Sequence, residues 1–382
     1  MVPRVYITLI SLSLNNPSHL RKPTIFYSLS LRLFSSSRPR KSDSAVALSD
    51  YLISQHHFSP EIALKASSSI HFVKNPKRSD LILSYLRESG FTQSHIEKLV
   101  IKAPRVLTTR LDVTIKPKIK IFQEFGFDSS EIADIVSSDP WILGRSANNQ
   151  LGPSISALKS VLGSTSGLPT LLKRCGCFLK YNLEKTLLPN ILFLTSCGVS
   201  SSQIVKYLFN FPRFFLHKPE NVKDFVRRVD EMGIDRKSKK FLAATVVMSS
   251  MSVQSWELKL KLFQNLGLSE DDIMFVFRRV PQVFSISRRK IKDVIEVLLC
   301  KGKMDISSIV NHAELLICSV EGRLKPRLEV FEILERKNLL ARKPRLTSLF
   351  KISDKMFLGK YVLPYSDELG DVQWLKGVKI NE

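Results

Sequence analysis

The sequence lacks the short motifs on which most enzyme chemistry depends. It contains no Gly-rich loop ending in Lys-Ser or Lys-Thr, no Gly-x-Ser-x-Gly, no His-Glu-x-x-His and no Cys-x-x-Cys. The histidines are scattered along the chain, at His19, His56, His57, His71, His95, His217 and His312. We therefore predict that the chain is not an enzyme and has no metal site and no cofactor. A convergent set of titrating groups in one pocket would contradict this prediction.

Cysteine is scarce and irregularly placed. An odd number of cysteines, five in all, argues against the disulfide framework typical of small secreted domains. Cys175 and Cys177 stand closer together than zinc-ribbon cysteines do, and no second pair accompanies them. We predict that the cysteines are small buried residues, at Cys175, Cys177, Cys197, Cys300 and Cys318.

Long apolar segments are also missing. A helix that spans a bilayer needs a run of about 18 apolar residues, and the longest candidate, around Leu242 to Met251, falls well short of that. We therefore expect no membrane insertion.

Acidic residues are absent from Met1 to Ser42, which contains seven Lys or Arg and many Ser and Leu. This composition is typical of an organellar transit peptide, although a disordered basic tail is the alternative interpretation. Arg32-Leu33-Phe34-Ser35 resembles a mitochondrial cleavage site. We predict a mitochondrial location, with the chloroplast as an alternative because of the Ser richness.

Basic residues outnumber acidic ones throughout the chain. Removing the seven basic residues of the first segment changes the totals from 58 basic and 35 acidic to 51 and 35. A folded domain with this excess indicates a polyanionic partner, either nucleic acid or an anionic membrane surface.

A Gly and a Pro recur 14 residues apart in four similar segments. These segments are Gly90–Pro104, Gly126–Pro140, Gly198–Pro212 and Gly267–Pro281. In each, an N-cap residue follows the Gly by two positions, at Thr92, Asp128, Ser200 and Ser269. An Ile follows each cap by four positions, at Ile96, Ile132, Ile204 and Ile273. The spacing predicts a short capped helix that begins after the Gly and ends at the Pro.

The segments belong to a longer repeat. Pro104, Pro140, Gly176 and Pro212 lie 36 residues apart, and Pro117, Pro153 and Pro189 form a second series with the same period. The second prolines are predicted at the first position of a helix. The first series begins a short third turn, Pro-x-x-apolar, whose Trp141, Phe214 and Phe215 are expected to pack between repeats.

Less regular copies, such as Gly233 with Met248 and Gly302 with Glu314, bring the total to about eight units of 33–36 residues. We predict an all-α fold, an α-solenoid of helix-helix-turn repeats. The expected division is a transit peptide over residues 1–42, a degenerate first repeat over 43–78, the repeat array over 79–320 and a C-terminal capping segment over 321–382.

From about Ser79 onward the chain resembles the mitochondrial transcription termination factor (mTERF) family in its plant form. The Gly–Pro spacing, the Pro-x-x-Leu/Phe turns and the segment Glu321–Arg327 carry the resemblance. It implies a curved superhelix whose basic concave side holds double-stranded nucleic acid. Gly176, Met248 and Glu314 depart from the family pattern because each stands where a Pro is expected.

Basic residues cluster around the third turns. Equivalent positions in a solenoid line up along one edge, so repeated charges can form a stripe that tracks a phosphate backbone. A solvated face is the alternative for any single Arg. The candidate nucleic-acid-binding residues are Arg105, Arg110, Arg145, Arg213, Arg279, Arg288, Arg289, Arg323, Lys325 and Arg327.

These features predict a monomeric organellar protein that binds double-stranded DNA or structured RNA and regulates gene expression, for example by terminating transcription. An RNA-binding factor in intron splicing or RNA processing is the first alternative. A protein-binding helical scaffold is the second, and a deep acidic or apolar stripe would favour it.

Overall fold

The computed structural model describes residues 46–370. The predicted transit peptide, residues 1–42, lies outside the described residues, as does the chain from residue 371 onward. Two compact units divide the chain between Asn221 and Val222. We call residues 46–221 the N-terminal unit and residues 222–370 the C-terminal unit.

Helices make up nearly all of the N-terminal unit. The exception is a pair of antiparallel strands, β1 (Val46–Ala47) and β2 (Phe72–Val73). The helices are α1 (Leu48–His56), α2 (Pro60–Ser67), α3 (Pro76–Glu88), α4 (Gln93–Lys102), α5 (Lys116–Glu124), α6 (Ser129–Ser138), α7 (Gly152–Leu162), α8 (Leu168–Arg174), α9 (Leu187–Ser196) and α10 (Ser201–Asn210). The second helices of successive repeats pack in a row, with α4 against α6 and α6 against α8.

The C-terminal unit is built in the same way. Helix α11 (Pro219–Glu231) crosses the boundary between the units. The helices that follow are α12 (Phe241–Ser249), α13 (Val253–Asn265), α14 (Glu270–Arg279), α15 (Arg288–Glu296), α16 (Ile306–Asn311), α17 (Lys325–Arg336), α18 (Leu346–Lys351), α19 (Asp354–Phe357) and α20 (Ser366–Leu369). The repeated helical architecture confirms the predicted all-α solenoid class.

The caps form as the sequence predicts. At Asp128 the Glu131 backbone N–H donates to the Asp128 carboxylate at 2.8 Å, while the Asp128 backbone N–H donates to the Glu131 side chain at 3.0 Å. The same reciprocal box closes at Thr92, Ser200 and Ser269. The four isoleucines that follow the caps are at most 2% exposed, at Ile96, Ile132, Ile204 and Ile273. Local capping and burial of one helix face therefore define each repeat together.

A five-residue 3₁₀ helix follows the second helix in six repeats, and we call these helices the third turns. They are Pro104–Thr108, Pro140–Gly144, Gly176–Lys180, Pro212–Leu216, Pro281–Ser285 and Ala313–Ile317. The residue before each has φ between −121° and −148°. Ala313, rather than the expected Glu314, occupies the Pro position, because α16 has only six residues and shortens that repeat. Phe214 and Phe215 are buried, which agrees with packing between repeats.

The second prolines lie near helix starts, but the chain is already helical before them. Pro117 is the second residue of α5, and a π-helical turn, Leu111–Ile115, precedes that helix. The Lys116 N–H accordingly donates to the Leu111 carbonyl five residues back. The same turn precedes Pro153 in α7. A proline within a helix removes one N–H and crowds the carbonyl four residues back, and a wider turn relieves that crowding.

The third turn at Gly176 differs from the others in its chemistry. A Cβ atom at Gly176 would lie 2.3 Å from an oxygen of the Asp139 carboxylate, so a larger residue there would require the Asp139 side chain to move. Cys175 and Cys177, whose Cα atoms are 5.1 Å apart, are joined by a disulfide bond. The prediction that both are simple buried cysteines was therefore wrong, because the turn brings them within bonding reach.

Candidate nucleic-acid interface

Basic side chains of the N-terminal unit lie on and just after the third turns. Arg105 and Arg213 occupy the same position, directly after the first residue of their turns, and both are exposed. Arg110 and Arg145 follow two of the turns and are also exposed. Within the described residues, Arg105, Arg110 and Arg213 are in no ion pair. The structure thus keeps these four charges available to solvent.

Trp141 holds two of the cations near the third turns. The Lys180 ammonium lies 4.2 Å from the centre of the indole ring, and the Arg145 guanidinium lies 5.6 Å from it. The indole N–H donates to the Asp139 carboxylate at 3.1 Å, which fixes the ring. Cations near an aromatic face are attracted by its quadrupole. Lys180 was missed from the sequence, where only its place at the end of the Gly176 turn could have indicated it.

Three candidates of the C-terminal unit differ in how far their charge is neutralised. The Arg279 side chain lies 3.6 Å from the Glu314 carboxylate, which also pairs with Lys351. Arg289 lies 3.8 Å from Asp293 but is 91% exposed. Arg288, in the first turn of α15, is exposed. Arg288 and Arg289 are therefore more accessible to a ligand than Arg279.

Arg323 and Lys325 are partly exposed and partnered by acids. Arg323 lies 3.3 Å from the Asp354 carboxylate, and Lys325 pairs with Glu321 one helical turn earlier at 2.5 Å. Exposed pairs of this kind contribute little stability. The two cations can therefore exchange these partners for phosphate at small cost.

Arg327 differs from the prediction. Its side chain is fully buried, and Nη1 donates to the carbonyls of Leu349 at 2.7 Å and Ile352 at 2.9 Å. Nη2 donates to Asp354, and the guanidinium lies 4.7 Å from the Phe357 ring centre. Burial lowers the pKa of Arg327 from its ordinary value. The side chain holds the last helices together and is inaccessible to a phosphate, so its assignment as a nucleic-acid contact was wrong.

Arg327 belongs to a set of buried donors that sequence reasoning missed. Each lies in the first helix of a repeat and donates to main-chain carbonyls at or just after the third turn or, for Arg327, in and just after α18. The donors are Ser79, Ser154, Asn190, Lys259 and Arg327. Lys118 occupies the same position, but it donates to the Val113 carbonyl at 3.0 Å, four residues before Pro117, which has no N–H to donate. The signal in the sequence was a polar residue directly after Pro117, Pro153, Pro189 and Pro326.

One cluster of titrating side chains lies between α1 and α3, near the start of the described residues. The Tyr51 hydroxyl donates to the Asp80 carboxylate at 2.6 Å, and His56 Nε2 lies 3.0 Å from the same oxygen. Burial, followed by the bond to Asp80, raises the pKa of Tyr51. Burial lowers the pKa of His56. The bonds join α1 to α3, and this cluster acts as a structural tie.

Among residues 46–370, no three His, Cys, Asp or Glu side chains are grouped so that they could hold a metal ion. In that same part of the chain, every helix is too short or too polar to cross a bilayer.

Comparison with known proteins gives two matches. The family model described as mTERF matches residues 70–358. Transcription termination factor MTERF8, chloroplastic, from Arabidopsis thaliana is 23% identical over 235 residues. That alignment covers 60% of this chain and 46% of the relative, so the chain spans about half the length of the curated relative.

Proposed function

The chain belongs to the mTERF family, and from that membership and the exposed basic third turns we propose that it binds double-stranded nucleic acid in an organelle and regulates transcription there. The observation that carries the proposal is the repetition of exposed Arg105 and Arg213 at one position of the repeat. Trp141 and Cys177 occupy the same position in the two intervening repeats, where exposed Arg145 and Lys180 supply a charge at or just after the turn, so successive turns can contact phosphates along one backbone.

The location and organisation form part of the proposal. The relative's name places that protein in the chloroplast. For this chain we therefore propose the chloroplast and the mitochondrion as equal candidates for its location. Residues 1–42 would act as the transit peptide, 43–78 as the first repeat, 79–320 as the array and 321–382 as the terminal cap. We propose that the protein acts as a monomer, without catalytic chemistry of its own.

The test is a binding series with the purified chain from residue 43 onward. Fluorescence anisotropy would compare a labelled DNA duplex, the matching RNA duplex and each single strand over a range of salt concentrations. We expect tighter binding to a duplex and a log–log decrease of affinity with salt that reports several phosphate contacts. Preference for a single-stranded RNA would favour the splicing or RNA-processing alternative. Absence of binding to all of them would reject the proposal and leave the protein scaffold.

A further inference from the structure

An open groove of about 780 Å³ crosses the first helices of three successive repeats in the N-terminal unit. Helices α5 and α7 and the start of α9 contribute its lining. Ile121, Phe125 and Leu188 line it with apolar surface and are each partly exposed. The volume is within the range of about 300–1,000 Å³ that is typical of small-molecule sites, and it has room for several apolar side chains.

Small residues of α7 line the floor of the groove. Gly152, Ser156 and Ser160 follow one another at intervals of four, so they lie along one face of the helix. A Cβ atom added to Gly152 would lie 3.6 Å from the Ile121 side chain, which is ordinary van der Waals contact. Gly152 is buried against Ile121, whereas Ser156 and Ser160 are exposed, so a partner side chain can approach α7 closely at the two serines.

The charge of this groove is opposite to that of the chain as a whole. Glu124 and Glu184 line it, and no Lys or Arg is among the lining residues. Glu124 has one cation nearby, Lys120 at 3.8 Å, and both side chains are more than half exposed, so that pair contributes little. Glu184 is exposed, and within the described residues it is in no ion pair. The two carboxylates would repel a phosphate backbone, so the groove is not part of the nucleic-acid interface.

We propose that this groove docks a basic amphipathic helix of a partner protein. The apolar face of such a helix would cover Ile121, Phe125 and Leu188, and its Lys or Arg residues would pair with Glu124 and Glu184. The inference is separate from nucleic-acid binding because carboxylates line this groove, whereas basic side chains form the proposed nucleic-acid interface. A partner bound in this groove would be brought close to the nucleic acid that the basic third turns are proposed to bind.

The test uses the chain from residue 43 onward, as in the nucleic-acid binding series. The probe is a labelled 18-residue helical peptide made of Leu and Lys. Leu at positions i, i+3, i+4 and i+7 gives the peptide one apolar face, and a version with Glu in place of Lys serves as its control. Binding is measured by fluorescence anisotropy at fixed salt. We expect the Lys peptide to bind at least about tenfold more tightly than the Glu peptide, because its charge complements the groove.

Two variants locate the binding. Ser156→Trp fills the groove from an exposed position, and Glu124→Lys with Glu184→Lys reverses its charge. Each should weaken Lys-peptide binding at least about tenfold while leaving the affinity for duplex DNA unchanged or slightly higher. The matched control is Glu329→Lys with Glu332→Lys, two exposed acids on α17, and it should bind the peptide as the unmodified protein does.

Three outcomes would overturn the inference. Equal losses in the groove variants and the α17 control would mean that the peptide binds only through general charge. Unchanged binding in Ser156→Trp, with circular dichroism showing the native helix content, would place the peptide elsewhere. A dimer in sedimentation velocity that Ser156→Trp dissociates would assign the groove to a second copy of the chain. Loss of duplex-DNA binding alone would concern the proposed function and not this groove.

Discussion

Asn190 donates through Nδ2 to the main-chain carbonyl of His217 at 2.8 Å, across 27 residues of sequence. Ser154 bonds the Tyr181 carbonyl at 3.3 Å across the same separation, and Lys259 bonds the carbonyl of Ile286 likewise. In each case a buried side chain of the first helix reaches the backbone just after the third turn. The backbone that follows these third turns is therefore held by polar groups that are themselves hidden from solvent.

Replacing Asn190 by Ala should destabilise the N-terminal unit. Asn190 is 1% exposed, and its loss leaves the carbonyls of Phe215 and His217 without these donors in a buried site. We expect the free energy of unfolding to fall by about 1–3 kcal/mol, measured by urea unfolding. Asn210→Ala, which removes an exposed bond to the Lys206 carbonyl, should change it by less than about 0.5 kcal/mol. Similar small effects in both variants would contradict the structural role of Asn190.

Stability should fall in acid through Asp134. The bond from Lys173 at 2.6 Å, with help from His95 at 3.2 Å, lowers the pKa of the Asp134 carboxyl from its ordinary value of 3.8, although partial burial opposes this. A lowered folded-state pKa gives stability that is present above the unfolded value and is lost as pH falls through the folded one. Asp134→Asn should therefore cost about 0.5–1 kcal/mol at neutral pH and less at pH of about 3. Urea unfolding at several pH values measures this, and a constant difference between the two proteins would argue against it.

Arg105 and Arg213 should contact phosphate rather than bases. Replacing either by Ala is expected to weaken binding similarly on all duplex sequences and to lower the log–log salt slope by about one unit. Arg227→Ala is the matched control, because two carboxylates, those of Asp224 and Glu231, already neutralise that side chain. Anisotropy titrations across a salt series supply the slopes. A loss confined to one sequence would instead assign base reading to the residue concerned.

Glu314 should limit the affinity of the C-terminal unit for nucleic acid. Its carboxylate pairs with Lys351 and lies 3.6 Å from Arg279, so it neutralises part of that surface. Glu314→Gln should raise duplex affinity several-fold and steepen the salt slope, because both cations become available to phosphate. The same titrations apply, with Glu296→Gln, an exposed acid on α15, as the control. Weaker binding in Glu314→Gln would mean that the pair with Lys351 orders the interface.

Much of the fold could be read from local sequence signals. The box of Asp128 and Glu131 closes over three residues, and the Gly residues that precede the caps take φ between 85° and 89°. Each of these depends on backbone geometry over a single helical turn. The burial of Ile132 followed from its position four residues after the Asp128 cap. The period, the caps and the basic excess were accordingly predictable without any tertiary contact.

The site depended on contacts between distant residues. Arg327 and Arg323 are neighbours in one basic segment, yet one is fully buried and the other lies at the surface. The difference is set by the carbonyls of Leu349 and Ile352, more than twenty residues away, which capture the Arg327 guanidinium. In the same way Glu314 neutralises Arg279 only because the two repeats are packed together. Sequence by itself determined where the capped helices begin and end, since that is decided within a turn; tertiary packing decided which charges remain exposed, since a side chain's environment is built by the neighbouring repeat.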